Sequence, residues 1–153
     1  MDKNEILSGN KLIAEFMGYE YIPYVKGQTQ SPGWWHETSP NLIKGKMPSA
    51  TKLSNDYFLC RRHDGLRYYN EWNWLMSVVE KIETLDLSNQ YDTDNFEGFT
   101  INIENTSCYI WLNLKYDPGQ RLVAIHNCTH NNKITTVYNA ILEFIKWYNN
   151  EKS

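Results

Sequence analysis

"CYIWLNL" (residues 108–114) carries large apolar side chains at odd and even positions alike, so a strand here has almost no polar face. Such a run suits the central strand of a sheet that is covered on both sides. Its neighbours in the chain read as its partners. "FTINIE" (99–104) alternates, with Phe99, Ile101 and Ile103 on one face and polar residues on the other, and "RLVAIHN" (121–127) is a third β-prone run. Between the last two, "YDPGQR" (116–121) sets Asp117, Pro118 and Gly119 in a row, a turn composition that makes the pair a hairpin. The segment therefore reads as a three-stranded antiparallel sheet.

Helical periodicity flanks it. "KITTVYNAILEFIKWYNN" (133–150) has a stripe of Ile134, Val137, Ile141, Ile145 and Tyr148, widened by Tyr138, Leu142 and Phe144. Upstream, "NEWNWLMSVVEKIETL" (70–85) places Trp72, Leu75, Val78 or Val79, Ile82 and Leu85 at helical spacing, with Asn70 as the expected cap. "LSGNKLIAEFMGYE" (7–20) reads as a short first helix, capped by Ser8 or Asn10 and stopped by Gly18. Its apolar face is Leu12, Ile13, Phe16 and Met17. Between the first two helices, about 21–70, lies an insertion with no sustained helical period and four of the five prolines. Inside it, "YFLCRRHDGLRYYN" (57–70) has two β-prone arms around Asp64-Gly65, which predicts a hairpin with a primed turn. The expected fold class is α+β, an α/β/α sandwich with a small antiparallel sheet. Its order is helix, insertion with hairpin, helix, three strands, helix, in a single domain spanning 1–153.

The wording of the helices resembles the phage ABA-sandwich domain family, small and mostly uncharacterised proteins of tailed phages and prophages. "NKLIAEFMGYEY" (10–21) is similar to that family's opening helix, "WNWLMSVVEKIE" (72–83) to its Trp-rich second helix, and "KITTVYNAILEFIKWYNNEK" (133–152) to its closing one. The resemblance covers roughly the first twenty residues and the last eighty. It implies the sandwich fold and a phage or prophage of the Bacteroides group, with no catalytic residues to carry over. It is silent about the insertion.

Composition narrows the function classes. Net charge is −3, so the chain is not a generally basic nucleic-acid coat, and without a groove-reading element duplex DNA is not an expected partner. Cys60, Cys108 and Cys128 are odd in number and lack framework spacing, which suggests free thiols in a reducing cytoplasm. The opening "MDKNEILSGN" is not a signal peptide, and no run is long enough to span a bilayer.

Reaction centres are hard to find. "HNCTH" (126–130) puts His126, Cys128 and His130 at alternate positions of one strand face. Two residues advance roughly 6–7 Å and four roughly 13 Å at strand rise. Zinc bonds of about 2.0–2.3 Å cannot gather all three, so no metal is expected. His36 and Thr38 in "WHETS" form one His-x-Thr pair, where two-histidine phosphoesterases need two. His63 and Asp64 are adjacent at a turn, and adjacent residues rarely point at each other. "DTDNFEG" (92–98) fails the spacing of a calcium loop. The chain reads as a binder more than an enzyme, with no catalytic residues and no cofactor.

Charge is unevenly divided. The insertion holds seven basic residues (Lys26, Lys44, Lys46, Lys52, Arg61, Arg62 and Arg67) against three acidic ones, a net +4 that leaves −7 for the rest. Trp34, Trp35, Tyr68 and Tyr69 lie among them. Cations that hold phosphate and aromatic faces that stack bases are what a nucleotide site uses. The expected ligand-binding residues are Trp34, Trp35, Arg61, Arg62, Arg67, Tyr68 and Tyr69. Their partner would be a small anionic ligand such as a signalling nucleotide, held by a homo-oligomer. Two other readings stand beside this one. The aromatics could anchor a host protein, with Trp34 and Trp35 foremost, or simply pack back onto the body.

Overall fold

The computed structural model describes residues 1–22, 34–37, 52–54, 57–58, 66–87, 95–116, 119–127 and 132–151. The chain divides into two compact units, Met1–Tyr69 and Asn70–Ser153.

In the first unit, α1 spans Lys3–Phe16. It starts earlier than Ser8 or Asn10 would place it, because Asp2 is the N-cap. The Asp2 carboxylate accepts from the backbone of Asn4 (2.8 Å) and Glu5 (2.9 Å), and the Glu5 carboxylate reaches back to the Asp2 N–H (2.6 Å). This capping box satisfies donors that the first turn otherwise leaves open. Gly18, with φ +89°, ends the helix in a conformation that L side chains rarely adopt. The chain then enters β1 (Tyr19–Ile22), antiparallel to β2 (Trp34–Glu37). A short second ladder joins β3 (Lys52–Ser54) to β4 (Tyr57–Phe58).

The predicted hairpin is corrected here. Tyr57 and Phe58 pair backwards with β3, and residues 66–70 form coil and turn instead of a second arm. Asp64 and Gly65 lie outside the described residues.

In the second unit, α2 spans Trp72–Glu83, with Glu71 rather than Asn70 at its N-cap. Then come β5 (Phe96–Ile103), β6 (Ser107–Leu114) and β7 (Gln120–Asn127), an antiparallel sheet in the order β5-β6-β7. α3 (Lys133–Glu151) closes the unit. The α+β class, the three helices and the antiparallel sheet are as the sequence led us to expect. α3 packs on β6 and β7, while α2 packs on β5 and beside α3.

Register explains the core. Ile103, Ile101 and Phe99 stand opposite Cys108, Ile110 and Leu112, and this face continues to Ala124 on β7. Cys108, Ile110, Leu112 and Ala124 are buried beneath α3, whose Val137, Tyr138, Ile141, Phe144 and Ile145 are buried in turn. Phe144 is the hub of an aromatic cluster. It lies edge-on to Phe99 at 5.1 Å, tilted against Trp147 at 5.6 Å and stacked on Tyr148 at 6.0 Å. Such ring pairs add to area burial.

The second face of the sheet differs from the expectation of cover on both sides. Tyr109, Trp111 and Asn113 are half-buried, while Leu122 and Ile125 are 39 % and 38 % exposed. Leu122 and Ile125 share that face although three residues apart, because the register slips by one between Leu122 (opposite Trp111) and Ala124 (opposite Ile110). Val123 is the extra residue of this bulge.

Burial sets one pH prediction. The Cys108 thiol is fully buried, and desolvation pushes its pKa up to about 12. A group whose folded pKa is raised gives stability that is whole below its unfolded pKa and lost as pH climbs to the folded one. Unfolding free energy should therefore fall by about 1.4 kcal/mol per pH unit, for this group alone, between about pH 9 and pH 11. Burial raises the Tyr138 and Tyr68 phenols in the same direction. Cys108→Ala should lose that share of the alkaline slope, read from urea midpoints across the range. An unchanged slope would mean that the thiol is hydrated.

Candidate functional site

The expected ligand-binding residues divide into three groups. Arg61 and Arg62 lie outside the described residues. Trp34 and Trp35 hold neighbouring register positions on β2, opposite Ile22 and Tyr21. Neighbouring strand positions belong to opposite faces of a ladder, so a ligand seated on one face would meet position 34 or position 35 and not both.

The third group is the segment Leu66–Tyr69, which is described in full. Leu66 and Tyr68 are buried, while Arg67 is exposed and Tyr69 is half-buried. The segment thus alternates although it is not a strand. Its inner side is tied to α1, since the buried Asn10 amide donates to the Leu66 carbonyl at 2.9 Å. Tyr68 is 1 % exposed, and burial together with nearby Tyr19 raises its phenol well above the ordinary value. This corrects its assignment. A side chain with no open face cannot stack a ligand, so Tyr68 anchors the segment that presents Arg67 and Tyr69.

The other chemistry-bearing residues are placed as follows. His36 sits on β2 opposite Glu20, and Thr38, His63, Asp64, Cys128 and His130 lie outside the described residues. His126 stands opposite Cys108 on the sheet and points to α3. Its Nε2 accepts from the Asn139 amide at 3.1 Å, which leaves Nδ1–H to donate to the Glu143 carboxylate at 3.2 Å. Both ring nitrogens are thus engaged in holding β7 to α3. Asn95, from the acidic loop, accepts Lys115 N–H at its carbonyl (2.8 Å) and Tyr116 N–H at its side chain (3.0 Å), which fixes the end of β6. Among the described residues, no three His, Cys, Asp or Glu side chains gather where a metal ion could be held. No helix among them is long and apolar enough to cross a membrane.

The sequence reading missed the open face of the β5-β6-β7 sheet. The signal was present in "CYIWLNL", whose Tyr109, Trp111 and Asn113 alternate with the buried Cys108, Ile110 and Leu112. The run is apolar at both parities, yet one face of the strand is aromatic and only half-buried. No family model, curated protein or solved structure matches this chain.

Proposed function

We propose that the chain is a non-catalytic accessory protein that binds a small anionic ligand through its basic, aromatic 21–70 segment. The observation that supports this reading is that Arg67 is exposed and Tyr69 half-buried on a segment whose Leu66 and Tyr68 are buried. A planar guanidinium grips phosphate bidentately, and a neighbouring phenol ring offers a stacking surface. The +4 charge of the segment, in a chain of net −3, supports an anion as guest. The resemblance to phage proteins supports a nucleotide signal of host defence as the ligand class, sequestered in the host cytoplasm by a homo-oligomer.

A protein-binding phage factor, a host-enzyme inhibitor or assembly component, is the second reading. Trp72 and Met76 favour it. They lie one turn apart on α2 and are 39 % and 37 % exposed.

Native mass spectrometry of freshly purified protein, set against its denatured mass, separates the two. A nucleotide-sized excess lost on denaturation supports the first reading, and a retained protein supports the second. For a captured nucleotide, Arg67→Ala should weaken binding about tenfold to a hundredfold, as expected for a charged hydrogen-bonding group. Affinity should also fall as salt rises. If Arg67→Ala and Trp35→Ala leave the affinity unchanged, the site assignment fails.

A further inference from the structure

We propose that the open face of the β5-β6-β7 sheet is a binding platform for a neutral, extended glycan. Two aromatic side chains, Tyr109 and Trp111, stand two residues apart on the central strand, about 7 Å along it. Beside Trp111 runs a row of polar side chains across all three strands. The Asn113 amide donates to the Thr100 hydroxyl at 2.8 Å, and the Gln120 amide donates to the Asn113 carbonyl at 3.2 Å. These bonds fix the three side chains in advance. They leave the Thr100 O–H, as a donor, and the Gln120 carbonyl oxygen, as an acceptor, unused within this row.

This combination matches a sugar ring. One side of a pyranose is lined by C–H groups and stacks on an aromatic face, while its edge carries hydroxyls that both donate and accept. Amide and hydroxyl side chains meet such an edge without any charge. No paired position on this face carries a charged residue; the exposed Glu97 is the extra residue of a bulge at its end, between Phe96 and Gly98, and its charge is negative. On this side of the sheet β5 carries Thr100 and Asn102, with the buried Gly98 beyond them, and β7 carries Gln120, Leu122, Ile125 and Asn127. A single-stranded nucleic acid would need cations here to neutralise its phosphates.

Size argues against a second copy of the chain. Eight-residue strands, three abreast, give a face of roughly 26 Å by 14 Å, or about 370 Å². A standard protein interface takes about 800 Å² from each partner. The face fits a short, flat oligosaccharide, and β-1,4 linkage provides the extended form.

The test titrates the full chain with the neutral hexasaccharide of β-1,4-linked N-acetylglucosamine, followed by amide and indole NMR. Shift changes confined to Thr100, Tyr109, Trp111, Asn113 and Gln120 are expected. Trp111→Ala should weaken binding by about tenfold. Gln120→Ala, at an exposed position, should weaken it severalfold while the unfolding midpoint stays put. Absence of shifts at millimolar sugar overturns the proposal. So does equal perturbation of this face by an oligouridylate, or a concentration-dependent dimer in sedimentation that Trp111→Ala abolishes.

Discussion

Replacing Phe144 by alanine is expected to lower the unfolding free energy by about 3–5 kcal/mol. The ring is fully buried and touches Phe99 on the sheet as well as Trp147 and Tyr148 on its own helix. Removing it takes away the transfer free energy of a large apolar group. It also leaves a cavity between α3 and β5, which two packed elements cannot easily collapse. The edge-on geometry with Phe99 is lost too. In a chain of this length about 1 kcal/mol shifts the thermal midpoint by roughly 2–4 °C, so the loss should be plain in melting curves. The urea midpoint should fall while its slope stays constant, since the same surface is exposed on unfolding. Trp147→Phe is the informative control. The Trp147 indole N–H is buried with no acceptor among the described residues, so its removal relieves an unmet donor while most of the ring contact remains. A Phe144→Ala loss below about 1 kcal/mol would mean that α3 is not seated on the sheet as described.

What was legible in the sequence was what repeats locally. The strands of the sheet and the stripe of α3 follow from periods of two and 3.6, and Ile134 and Leu142, at the margins of that stripe, are half-buried. What failed depended on a single slipped residue or on a distant partner. On α2, Trp72 and Trp74 fit helical spacing almost equally well, and the structure buries Trp74 and leaves Trp72 exposed. Strict alternation on β7 separates Leu122 from Ile125, and one bulged residue reunites them. Asn10 looked like a cap because Asn favours caps, yet it serves inside α1 for a carbonyl far along the chain. Tyr68 looked like a ligand-stacking residue because it lies between Arg67 and Tyr69. Only the alternation of burial over 66–69, set by contacts remote in sequence, shows that it belongs inside.

Asn10→Asp should destabilise the protein strongly at neutral pH and hardly at all in mild acid. Asn10 is 1 % exposed, its amide nitrogen donates to the Leu66 carbonyl, and its Oδ1 has no partner among the described residues. An aspartate carboxylate has only acceptors to offer that carbonyl, and burial disfavours its charge further, so its folded pKa must lie above the ordinary value of about 3.9. Below that unfolded value the carboxyl is protonated in both states, and its O–H can take the place of the amide donor. As pH rises past it, the unfolded chain ionises while the folded one resists. The stability gap to the natural protein then widens by about 1.4 kcal/mol per pH unit until the folded pKa is reached. A gap of about 3–5 kcal/mol at pH 7 is expected, the scale of an uncompensated buried charge. Urea midpoints of both proteins at mildly acidic and neutral pH measure it. Asn10→Leu supplies the contrast. It leaves the Leu66 carbonyl unmet at every pH, so its loss of about 1–3 kcal/mol should not change with pH. A pH-independent Asn10→Asp gap would show that water reaches this carbonyl. The bond would then not hold Leu66–Tyr69 in place, and the outward presentation of Arg67 and Tyr69, on which the anionic site rests, would lose its anchor.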